Sequence, residues 1–238
     1  MASISIRSAQ SLLLLGFLTV ACGEPAREAR QSEYDAPPAA VPAPATPAPA
    51  TAPVNTPSGT DAELDTHLDA AHENFVKKDL ARAGDEIRDA TSRLKAAAEG
   101  AKSDARKGLL ETAQKLEEVE GHVRSGALTA IATLDRHLAS ANAALARDHY
   151  VRATDAWATK DGRTAGREMA AAMDQLEAGS KRLGEEAKGE AADFGKHVRD
   201  TGHKLAGGAT VAETEVGKTI ESLGRKIEML AQKARSDL

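Results

Sequence analysis

The sequence predicts an all-α protein: an elongated bundle of long antiparallel helical hairpins with an internal duplication, preceded by a disordered linker rich in Pro and Ala. Three observations predict it. All nine prolines fall between Pro25 and Pro57, so the chain from Ser58 onward has none, and it is dominated by Ala, Glu, Lys, Arg and Leu, side chains that lose little rotamer freedom in a helix. Apolar residues recur there every three or four positions, as helix packing requires. Finally, sliding the sequence by 82 positions lays its second half on its first.

The first element is an apolar run, Leu12 to Ala21, that ends at Cys22. About ten apolar residues behind a short N-terminal region make a secretory signal core, too short to span a bilayer. Residues 1–21 are therefore assigned to a signal peptide. Residues 22–60 form a tether, and its segment 36–57 is almost wholly Ala, Pro, Thr and Val. Proline removes backbone donors and fixes φ, which favours an extended polyproline form with a reach of about 3.1 Å per residue.

The region 61–238 is the predicted bundle. Leu64, Leu68, Ala71 and Phe75 make the first apolar seam, followed by Leu80, Ala83, Ile87, Ala90 and Leu94. Ile131, Leu134, Leu138, Ala141 and Leu145 make another, and Val216, Ile220, Leu223, Ile227 and Leu230 the last. A stripe of alternating threes and fours is buried only against other helices. The 82-residue shift places His67 on His149, Phe75 on Trp157, Lys78-Asp79 on Lys160-Asp161, Ala83-Gly84 on Ala165-Gly166 and Gly126-Ala127 on Gly208-Ala209. The copies run from about 67 to 148 and from 149 to 230. Asp79 and Asp161 are expected N-caps, and Gly126 and Gly208 the flexible residues of the alternate turns. The helices expected on this basis are 61–78, 80–124, 127–159, 162–206 and 209–236. Two of them would be about 68 Å long, weakened at Gly100 and along the series Gly179, Gly184, Gly189, Gly195 and Gly202.

Leu18-Thr19-Val20-Ala21-Cys22 resembles the lipobox of bacterial lipoproteins, with Thr19 where Leu is usual. The resemblance implies cleavage before Cys22, acylation of its sulfur and attachment to a membrane of the cell envelope. Gly23 stands where enteric lipoproteins carry an inner-membrane retention Asp, so the resemblance points to the outer membrane, facing the periplasm. The turn Phe75-Val76-Lys77-Lys78-Asp79, with Ala83 after it, also resembles tetratricopeptide-type hairpins, although a period of 82 departs from their 34-residue unit.

Composition narrows the function classes. Lys and Arg total 31 against 36 Asp and Glu, without a basic block, so no nucleic-acid partner is expected. Cys22 is the only cysteine, which excludes an internal disulfide. Ala212 to Thr219 superficially resembles a phosphate-binding loop, but it follows no strand, holds two carboxylates and places Val216 on a heptad seam. His67 and His72 are five apart and face different sides of a helix. Glu118 with His122, and Asp193 with His197, are four apart and read as solvated pairs before they read as metal ligands. Phe75 and Trp157, just before the two Lys-Asp turns, are candidate partner contacts or end plugs of the bundle. No catalytic constellation, cofactor or metal site is expected. The function expected is that of a non-enzymatic, lipid-anchored envelope protein with a structural, stress-protection or protein-interaction role and a protein partner. The alternative is a bundle binding a metal or small ligand through His and carboxylates.

Overall fold

The computed structural model describes residues 59–235, so Cys22, the signal peptide and all of the tether before Gly59 lie outside the described residues. Seven helices and no strand are found among them: α1 (Gly59–Val76), α2 (Leu80–Gly100), α3 (Ser103–Arg124), α4 (Ile131–Ala158), α5 (Gly162–Arg182), α6 (Glu185–Ala206) and α7 (Glu213–Arg235). The all-α class and the antiparallel hairpin packing are as the sequence predicts. Helix α1 already begins at Gly59, two residues after the last proline.

The two longest predicted helices do not exist. Residues 80–124 and 162–206 each fold back on themselves, at Ala101-Lys102 and at Leu183-Gly184. Lys95 pairs with Glu117 at 2.5 Å and Arg124 with Asp85 at 2.7 Å, contacts that only antiparallel α2 and α3 can make. Arg199 pairs likewise with Asp174 at 3.0 Å and Glu177 at 2.5 Å across α5 and α6. The glycines at these points end the helices where the sequence led only to the expectation of weakening. Gly100 is the last residue of α2, and Gly184 adopts φ +106°, a conformation that costs other residues a strained backbone. An uninterrupted stripe of threes and fours cannot reveal such a fold-back, because the phase resumes within two residues.

The 82-residue shift is reproduced in three dimensions. Helices α2 and α3 map onto α5 and α6 end for end, the last residue of α1 maps onto the last of α4, and the first of α4 maps onto the first of α7. Lys78 and Lys160 both adopt left-handed backbone, with φ 64° and 63°, as do Gly126 and Gly208, with φ 71° and 79°. Asp79 accepts from the Arg82 amide at 3.2 Å and Asp161 from the Thr164 amide at 3.0 Å, so both are the N-caps expected. These turns follow one pattern: the amides of Lys78 and Asp79 return to Phe75 and Asn74, and those of Lys160 and Asp161 to Trp157 and Ala156.

Two equivalent cores result, and α4 serves both. Leu134, Leu138, Ala141 and Leu145 close the first core with α1, α2 and α3. Ala143, Ala146 and Ala153, on another face of the same helix, close the second with α5, α6 and α7. The copies differ most in the third helix. Leu109, Ala113, Leu116 and Val119 of α3 have Ala191, Gly195, Val198 and Thr201 as their counterparts in α6, so the second core is thinner. Helix α6 lies close against α5 in consequence: a Cβ on Gly166 would meet the Gly202 carbonyl oxygen at 2.3 Å and the Ala206 nitrogen at 2.7 Å. The outer face of α7 is charged and exposed, for Glu221, Arg225, Glu228 and Arg235 stand where α4 has Ala139, Ala143, Ala146 and Ala153.

Candidate functional site

The candidate aromatics occupy equivalent ends of the two cores. Phe75 is buried in the first, whereas Trp157 is half-buried against the second. Lys78 and Lys160, whose left-handed backbone swings their side chains back over the preceding helix end, place their ammonium groups 5.7 Å and 5.8 Å from the respective ring centroids. Both aromatics thus pack against a core beside a turn, Phe75 buried and Trp157 partly exposed.

The histidines disperse. His67 Nδ1 lies 2.7 Å from Glu86 and His72 Nδ1 2.6 Å from Asp135, on α2 and α4 respectively, which bears out their placement on different sides of α1. His122 is exposed, and His197 Nε2 sits 3.2 Å from the Thr219 hydroxyl. Burial, with Lys115 nearby, holds His137 below the usual imidazole range. Among the described residues, no group of three or more His, Cys, Asp or Glu is arranged to hold a metal ion. Residues 213–219 open α7, with Val216 in the second core, so the resemblance to a phosphate-binding loop has no loop behind it.

The polar chemistry concentrates instead where the two copies meet. His149 is buried between Asp61 of α1 and Glu168 of α5, with Nδ1 2.8 Å from Glu168 and Nε2 3.2 Å from Asp61. Burial alone would push its pKa down, but the two carboxylates reverse this and raise it to about 9, so the imidazole is charged at neutral pH. Its counterpart His67 retains the Glu86 partner, but the carboxylate supplied by α1 is peculiar to the junction.

Two turns away along α4, fully buried Asn142 donates to Asp65 and to Gln175, both at 2.7 Å, and accepts from Arg182 Nε at 3.2 Å. Gln175 donates to the second oxygen of Asp65 at 3.0 Å. The Arg182 side chain is only 7% exposed and reaches Asp69 at 2.7 Å. Burial raises the Asp65 pKa, opposed by the two amides and by Arg182. Each polar group of this network satisfies another, and the network ties α1 to α4 and α5 in a single register.

Above it opens a cleft of about 730 Å³ between α1, α4, α5 and α6. Its α1 and α4 side carries Asp65, Asp69, Glu73 and Asp135, with His72 bonded to Asp135. The end of α5 and the start of α6 contribute Lys181, Arg182 and Lys188. Further along, Asp174 and Glu177 are spanned by Arg199; burial raises the Asp174 pKa against the pull of that guanidinium.

Apart from the histidines, none of these junction residues was a candidate from sequence, and the reason is geometric: residues 65, 142, 175 and 182 come together only once α1 lies beside α5. A signal existed in the repeat itself. Gln175 and Arg182 stand where the first copy has Arg93 and Gly100, so they are departures from the internal pattern. Compared with family models, curated proteins and solved structures, the chain matches none.

Proposed function

We propose that this chain is a lipid-anchored cell-envelope protein whose helical body acts as a non-enzymatic interaction module. The observation that carries the reading is the order of its parts: an apolar run ending at Cys22, a Pro/Ala tether, and a bundle whose first helix starts two residues after the last proline. Among the described residues no helix is long and apolar enough to cross a membrane, so attachment would fall to the acyl group. Two acyl chains supply the buried hydrocarbon that stable anchoring needs. The outer membrane is the proposed site, on the strength of Gly23 after the cysteine. Replacing Cys22 by Ser tests this: the substituted protein should leave the salt-washed membrane fraction or accumulate unprocessed. If it stays in washed membranes and is processed normally, the anchor reading falls.

A second reading, a bundle that binds a small ligand, is favoured by the junction cleft, whose volume is within the range of ligand sites. The proposed partner of the first reading is an envelope protein, and crosslinking in intact envelopes followed by affinity capture on this chain would find it.

A further inference from the structure

We propose that the junction cleft takes a short zwitterionic peptide, its ammonium end against α1 and its carboxylate end against the tip of α5. The inference rests on the small-ligand reading and is independent of the anchor, since the cleft exists whether or not Cys22 is acylated.

Most charges around the cleft are already neutralised. Arg182 is spent on Asn142 and Asp69, Arg199 on Asp174 and Glu177, and His72 on Asp135. Asp65 is different: its hydrogen-bond donors are the neutral amides of Asn142 and Gln175. Glu73 finds its ion pair with Lys77 on its own exposed helix face, at 3.2 Å. On the opposite rim Lys188 pairs with Glu185 along α6, and Lys181 has no ion-pair partner among the described residues. Arg182 bridges the two walls at Asp69, which leaves Asp65 on the α1 side and Lys181 at the tip of α5 as opposite charges with no ion pair of their own among the described residues.

That polarity selects the ligand. A phosphate or other anion would meet the carboxylates of α1, and a diamine would meet Lys181 and Lys188; only a molecule with opposite charges at its two ends satisfies both walls. A volume of about 730 Å³ corresponds to roughly 9 Å across if equant, the reach of about three extended residues. The floor is preorganised by the Asn142 network, so little ordering is required on binding.

The test uses the full chain, isotopically labelled, and follows amide shifts by NMR on addition of trialanine, N-acetyl-trialanine, trialanine amide, putrescine and acetate. Trialanine should give saturable shifts at residues lining the cleft, with either blocked peptide binding at least tenfold more weakly. Exposed Lys181, changed to Glu, should reverse the ranking, so that trialanine amide binds better than trialanine while the melting temperature is unchanged. A reversal cannot arise from unfolding. Saturation by putrescine or acetate but not by trialanine overturns the zwitterion and leaves a ligand-binding cleft. Absence of saturable shifts from all five up to about 10 mM, weaker than any useful affinity, overturns both. An unchanged ranking in the Lys181→Glu protein overturns the assignment of the carboxylate end.

Discussion

Gly84 and Gly166 are equivalent by sequence, yet the same substitution should be tolerated at the first and destabilising at the second. Each lies inside a helix, where exchanging Gly for Ala gains about 1 kcal/mol from helix propensity. At Gly84 a new Cβ would meet the Arg124 side chain, with Cγ at 2.7 Å and Nε at 2.8 Å. That guanidinium can swing away, at the expense of surface pairs with Asp85 and Glu120 that contribute little. Gly84→Ala should therefore be close to neutral. At Gly166 the obstacle is backbone, the Gly202 carbonyl oxygen at 2.3 Å, and α5 and α6 would have to separate by about 1 Å to restore ordinary contact. Overpacking of this kind costs about 1–3 kcal/mol, and the parting helices lose further contacts along the already thin second core. The net expectation for Gly166→Ala is a loss of about 1–2 kcal/mol. Urea unfolding followed by far-ultraviolet circular dichroism reads both variants against the parent. If Gly166→Ala is as stable as the parent, or Gly84→Ala the less stable of the two, the close approach of α5 and α6 is wrong.

Two further predictions concern the cores and the junction. Leu138 is completely buried in the first core, so Leu138→Asp should destabilise the bundle by several kcal/mol, about 3 or more, whereas Glu118→Gln on an exposed face should change little; equal melting temperatures would contradict the placement of α4. The His149 pKa is raised from 6.5 to about 9, so its ion pairs stabilise the fold fully below pH 6.5 and lose that contribution as the pH rises through 9. The shift corresponds to a contribution on the order of 3 kcal/mol. Thermal melts at pH 6 and pH 10 should show the parent's advantage over His149→Gln shrinking markedly at the higher pH; a constant difference would mean that His149 is neutral throughout.

How much was legible in the sequence depended on the range of the interaction. Seams such as Leu64, Leu68, Ala71 and Phe75 are local patterns, and each marks a helix face that is buried where expected. Asp79, Asp161, Gly126 and Gly208 act within a single turn, and their roles were readable for the same reason. The fold-backs at Ala101 and at Gly184 were not readable, because a break of two residues leaves the apolar phase intact. Helix pairing was out of reach as well: nothing local in Asp61 or Asp65 indicates that α1 will lie beside α4 and α5, and the buried network and the cleft depend on that pairing.

Helix α4 is where the two copies overlap. The shift of 82 lays α1 (Gly59–Val76) on residues 141–158 of α4, and lays residues 131–153 of α4 on α7 (Glu213–Arg235). Residues 141–153 are therefore read twice, like a stretch of text shared by two overlapping messages: Ala141 and Leu145 belong to the first, Ala143, Ala146 and Ala153 to the second. A substitution within this stretch is edited into both messages at once, and no cut through α4 can return either copy whole without duplicating those residues.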